Sequence, residues 1–315
     1  MPGIGIITNP HSRRNRRFPE QMRRLGYVLG QHDVSEMTNK VEDVAEVAQR
    51  FLDSGIDILA LNGGDGTNHV TLTRFIEVYG DHPLPKIALL RGGTMNTVSN
   101  GVGVRGTPSR LLANLVEKYY TQQPFETTER DMLKVTDEHG TNYGFIFGNG
   151  VISNFLELYY DDPSPSPLTA ARLLTRGVVE TFVGGDVRDA LYKPFRAKMK
   201  FDTGVQWPDQ DYMSVFAATV EQIGLGFRPF TRCEERAGAF HILGFKGDTT
   251  GLIKILPRIR LGLPIPEDVM LGAVAGCVTF TSDEPITYTI DGDIHVSQEG
   301  DVELATGPRV EIILK

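Results

Sequence analysis

Three short stretches set acids or hydroxyls among glycines: Gly63-Gly64-Asp65-Gly66-Thr67, Gly92-Gly93-Thr94-Met95-Asn96 and Asp291-Gly292-Asp293. The first two each close an apolar run, IDILALN and KIALLR. A glycine turn after a strand can offer successive main-chain N–H groups to an anion, because glycine accepts positive φ and lets phosphate oxygens come close. A helix starting there adds its positive end, and Thr67 adds a hydroxyl donor. Asp65 would repel a bare phosphate, so its presence calls for a divalent cation or a proton transfer. The plainer reading is a tight strand-to-helix connection with Asp65 capping the helix. In the third stretch the strand ITYTI runs into two carboxylates two residues apart, on one side of an extended chain, which suits magnesium binding or proton abstraction. Asp-Gly is also the commonest hairpin signal, which makes a type I′ turn the competing reading.

These groups need elements to hold them, and the first third of the chain supplies an alternating α/β pattern. GIGIITN reads as a buried first strand and VSEMT as a weak second one. NKVEDVAEVAQRFLDSG carries apolar residues at helical spacing, with Asn39 and Glu42 at capping-box separation. IDILALN is a third strand, HVTLTRFIEVYG a helix and KIALLRGG a fourth strand. In a parallel sheet both glycine turns then fall at the carboxyl ends of strands, where such sheets bind ligands. From about residue 126 short strand-like runs take over: ERDMLKVT and NYGFIFGNG about a DEHGT turn, then FRAKMKF, YMSVFAATV, AFHILGF, GCVTFTS, ITYTI and VEIIL. LTAARLLTRGVVETFV and TGLIKILPRIRLG interrupt them as helices.

The formal net charge of −8 argues against a general nucleic-acid binder, which needs a basic face to neutralise phosphates. Cys233 and Cys277 stand far apart, outside any zinc-type spacing, and fit buried thiols in a reducing cytoplasm. The start MPGIGIITNP lacks a secretory pattern, and VMLGAVAGCVTF falls short of the ~20 apolar residues of a membrane span. The expected location is cytoplasmic, with at most peripheral contact at an inner membrane face. Arg13, Arg14, Arg16, Arg17, Arg23 and Arg24 can guide phosphates or meet an anionic membrane, or simply form a solvated face.

Taken in order, the motifs resemble the diacylglycerol kinase catalytic family, which includes bacterial soluble lipid kinases and sphingosine and ceramide kinases. The carriers are Asn9-Pro10 after the first strand, Thr38 before a helix, GGDGT, GGTMN, the Asp-Gly-acid motif and the closing VELATGPRVEIIL. The resemblance implies an α/β nucleotide-binding domain over residues 1–125 and a mostly antiparallel, β-rich acceptor domain over 126–299, with 300–315 returning to the first. It further implies that Asn9, Thr38, Gly63, Gly64, Asp65, Gly66, Thr67 and Thr94 line ATP. Asp65, Asp291 and Asp293 would be catalytic, and Asp65 and Asp293 would hold Mg2+. The implied partners are a lipid substrate and ATP, with a peripheral contact to anionic membrane and a homodimer as further expectations. The chain departs from the family pattern at Arg13, at Asn68-His69-Val70 where an acid is usual, at Asn96-Thr97 and at Asp293. An NAD kinase-like activity and an inactive nucleotide- or lipid-binding regulator stand as the alternatives.

Overall fold

The computed structural model describes residues 3–20, 25, 29, 33–38, 40, 42–163 and 165–314, so Arg23, Arg24, Asn39 and Val41 lie outside it. The chain divides into two compact units, Met1–Arg130 with Arg309–Lys315, and Asp131–Pro308.

The first unit contains β1 (Ile4–Thr8), α1 (Arg13–Arg17), β2 (Val34–Met37), α2 (Glu42–Ser54), β3 (Ile58–Asn62), α3 (Asp65–Tyr79), β4 (Lys86–Leu89), α4 (Thr97–Gly101) and α5 (Pro108–Tyr120). Its strands are parallel in the order β2-β1-β3-β4. Every residue of β1 and β3 is buried, as their unbroken apolar runs require of strands covered on both faces. β2 alternates between half-buried and exposed residues, the mark of an edge. On one side Ile4, Ile6, Ile58, Ala60 and Ala88 pack with Leu112 and Leu115 of α5. That helix starts at Thr107, whose side chain accepts from the Arg110 N–H, with Pro108 at the first helical position.

The second unit is mostly antiparallel. It comprises β5 (Thr127–Asp137, entering from the first unit), β6 (Gly140–Gly144), β7 (Ile146–Asn149), α6 (Val151–Tyr160), α7 (Pro167–Val183), α8 (Asp186–Leu191), β8 (Phe195–Phe201), β9 (Gln206–Tyr212) and β10 (Ser214–Ala218). β11 (Phe240–Phe245), α9 (Thr249–Leu261), β12 (Met270–Ala275), β13 (Cys277–Thr281), β14 (Ile286–Ile290), β15 (Asp293–Ser297) and β16 (Asp301–Ile313) follow. One sheet runs β12-β11-β10-β7-β14-β15, while β16, β13, β8 and β9 pair in that order in another. Phe147, Met199, Phe240, Phe280 and Tyr288 are among the buried side chains of the shared core. β16 leaves the unit at Pro308, and its last residues, Ile312 and Ile313, pair in parallel with Ile87 and Ala88 of β4. Ile313 joins the first unit's core.

The architecture is therefore the expected one, an α/β domain followed by a β-rich one. Among the described residues four α-helices, α6 to α9, stand in the second unit where the sequence pattern suggested two.

Candidate active site

The first unit brings its strand-end turns together by side-chain stitching. Asn9 follows β1, and its Nδ2 donates to Thr67 Oγ1 at 2.9 Å, while the Ser12 hydroxyl lies 3.4 Å from the same oxygen. Asn15 is buried and donates from Nδ2 to the carbonyls of Asn9 (2.8 Å) and Asn62 (3.0 Å). The Arg14 N–H reaches the Gly92 carbonyl at 3.3 Å, and Thr38 donates its N–H to Thr8 at 3.2 Å. Asn9, Thr38, Gly63 to Thr67 and Gly92 onward thus share the carboxyl edge of one parallel sheet. Thr94 is half-buried in the second turn.

The glycines are fixed by the turns' approach to one another. A Cβ on Gly93 would run into the Gly64 main chain, and one on Gly64 would stand 3.2 Å from Gly93 Cα. At Gly92 it would meet Asn62 Oδ1 at 2.6 Å and Asn15 Nδ2 at 3.0 Å, and at Gly63 the Thr67 side chain. Close packing alone demands these glycines, so phosphate approach is not needed to explain them.

α3 begins inside the motif, with Gly64 as its N-cap and Asp65 in its first turn. Its first helical bond from this end runs from Asn68 N–H to the Gly64 carbonyl, leaving the N–H groups of Asp65, Gly66 and Thr67 without an acceptor within the helix. Asp65 does not cap its own helix, as the plainer reading had it. Its carboxylate crosses to the second turn, where Oδ2 accepts from Thr97 N–H (2.8 Å) and Oδ1 from Val98 N–H (3.1 Å). Burial pushes its pKa up despite these donors and the nearby Arg91 charge. Asn96 holds the turn from a left-handed conformation, φ 49°, bonded through its side chain to both the N–H and the carbonyl of Gly93. His69 is buried on α3.

In the second unit Asp291 and Gly292 have φ of 50° and 98°, and Ile290 pairs with Asp293 across them. Positive φ at both central positions makes this a type I′ hairpin turn. Asp291 has left the extended conformation, so the strand alternation that would set it on one side with Asp293 does not apply. Its buried carboxylate accepts from Phe145 N–H (3.0 Å to Oδ1) and Ile146 N–H (2.9 Å). Gly144 makes room, since a Cβ there would meet Ile290 and stand 3.0 Å from Asp291 Oδ2. Asp293 differs. Among the described residues no hydrogen bond holds its half-buried carboxylate, and burial pushes its pKa up against a smaller opposing effect of His295.

The acids fit a divalent cation unequally. Asp65 has both oxygens on N–H donors and feels the positive charge of Arg91, a poor setting for a cation ligand, whereas among the described residues the Asp293 carboxylate keeps its oxygens unengaged. No group of three or more His, Cys, Asp or Glu that could hold a metal exists among the described residues. Asn15, Asn62, Arg91 and Asn100 were not singled out from the sequence. Asn62, which closes β3, was visible as a lone polar residue ending an apolar run, whereas Asn15 is hidden in a run of arginines.

Residues 4–124 match the model of the diacylglycerol kinase catalytic domain, so the recognition read from the motifs holds over that span. No curated protein matches the sequence significantly. Among solved structures, a diacylglycerol kinase from Bacillus anthracis str. Sterne superimposes with a TM-score of 0.67 at 17% identity, covering 99% of this chain and 97% of its own. A second structure from that organism, titled "a putative diacylglycerol kinase", gives 0.69 at 17% identity over the same shares. At that identity the likeness establishes the fold.

Proposed function

With the kinase-domain match as premise, we propose that the protein transfers the γ-phosphoryl group of ATP to the hydroxyl of a lipid. The observation that carries this reading is the stitched edge of the first unit, where the N-terminus of α3 leaves the N–H groups of Asp65, Gly66 and Thr67 without acceptors within the helix, close beside the second glycine turn. Phosphoryl transfer asks for positioning and charge neutralisation more than for covalent chemistry. Asn9, Thr38, Gly63, Gly64, Gly66, Thr67 and Thr94 line the nucleotide and its phosphates. Asp65 keeps the second turn in register with the first.

Asp293 takes the acceptor's proton. A carboxylate without N–H donors and with a raised pKa is the better general base, because proton transfer improves as the base's pKa approaches the working pH. Asp291, whose oxygens are spent on Phe145 and Ile146, fixes the hairpin that carries it. A magnesium ion accompanying the nucleotide would neutralise phosphate charge, and Asp293 is the acid suited to hold one. A lipid acceptor is favoured by the family match and by apolar residues exposed on helices of the second unit, Leu168, Phe182 and Val183 on α7 and Leu261 on α9.

The test is transfer from labelled ATP to a panel of lipids and to NAD, in wild type and Asp293→Asn. The reading requires label in a lipid product, lost in the variant while nucleotide binding persists. Label in NAD, or in no acceptor, would refute it.

A further inference from the structure

Behind the second glycine turn lies a charge imbalance that the proposed function does not use. Arg91, between β4 and Gly92, has φ 62° and donates from Nη1 to Asn100 Oδ1 (2.7 Å) and to the Val104 carbonyl (2.6 Å). Arg105 Nη1 donates to the same Asn100 Oδ1 at 2.8 Å. Two guanidinium groups therefore meet on one neutral amide oxygen. Arg14 closes in from α1. Its main-chain N–H holds Gly92, while its side-chain Nε is buried with no acceptor. Burial and the charges of Arg105 and Arg14 together push the Arg91 pKa down.

The carboxylate interacting with Arg91 is Asp65, and its oxygens are already bonded to Thr97 and Val98 N–H. Three guanidiniums against one carboxylate leave positive charge in surplus at the turns. Such crowding is costly without an anion, and a buried donor left without an acceptor is costly as well. Guanidinium forks match phosphate oxygens in shape and charge.

Building on the reading that the turns take the donor's phosphates, we infer that Arg14, Arg91 and Arg105 seat a polyphosphate directly, so that nucleotide binding here needs no divalent cation. Arginine supplies at this edge the neutralisation that a cation bound to Asp65 would give. Arg91 also ties the 100–104 loop, so Arg14 and Arg105 are the informative positions to change.

The experiment is titration calorimetry of ADP into the full chain with excess EDTA and with Mg2+. Binding in EDTA within about threefold of that in Mg2+ is expected, with Arg14→Gln weakening it ~10-fold or more at an unchanged Tm, since one strong charge-assisted contact is worth at least ~1.4 kcal/mol. Arg105→Gln should weaken it too and serves if Arg14→Gln misfolds. Binding that appears only with Mg2+, or arginine variants that bind as wild type does, would overturn the inference and leave the kinase reading standing. No ADP binding in either buffer would remove both. Tripolyphosphate should displace ADP while glycerol 3-phosphate does not; displacement by glycerol 3-phosphate at equal concentration would make this a headgroup site and defeat the polyphosphate assignment.

Discussion

Three aspartates that look alike in the sequence have three different surroundings, and the two of the hairpin call for opposite experiments. Removing the Asp291 carboxylate strands the Phe145 and Ile146 N–H groups in the interior, so Asp291→Ala should cost about 1–3 kcal/mol, read as a lower denaturant midpoint at unchanged m. Asp293 behaves oppositely. Its folded-state pKa lies above the unfolded value of about 4, so the native state holds the proton more tightly. Stability is then greatest at low pH and falls as pH rises from the unfolded pKa through the folded one. Asp293→Asn should raise Tm at pH 8, with the gain fading toward pH 4; a gain that grew on acidification would contradict the assignment. Gly93→Ala drives a Cβ into the Gly64 main chain, and should abolish the rise in Tm that ADP gives the wild type by separating the two turns. Local pattern revealed GGDGT, GGTMN and DGD but none of these partners. Asp65 meets Thr97 across 32 residues and Asp291 meets Phe145 across 146, separations that no turn or helix period encodes.

Legibility at the level of elements follows burial. β1 and β3, covered on both faces, are unbroken apolar runs and read directly as strands. β9, QWPDQDY, is exposed at most positions and contains a proline, so its membership of a sheet comes from pairing with β8 and not from its own composition. α6, VISNFLELYY, carries β-branched and aromatic residues that favour strands, yet it is a helix because tertiary packing outweighs propensity. The C-terminal return was expected from the resemblance, and the pairing of Ile312 with Ile87 gives it a measurable weight. Ile312 is fully buried, so Ile312→Ala should destabilise the first unit by about 2–5 kcal/mol. A loss of ADP affinity in that variant, with the second unit's proteolytic resistance unchanged, would locate the effect.

For the whole molecule, the first unit is assembled from two segments that flank the second, with the 178 residues of Asp131–Pro308 between them. During synthesis the β4 edge emerges before the second unit and its partner strand after it. Until Arg309–Ile313 leave the ribosome, that edge offers unpaired N–H and C=O groups to any passing strand. Domains built from continuous segments can close behind the ribosome one after another, but this one cannot close before the whole second unit has been made. Slow elongation just before the codons of Arg309–Ile313 should therefore raise aggregation of the nascent protein more than an equal pause early in the second unit. The yield of soluble protein from messages with rare codons placed at the two sites would measure the difference.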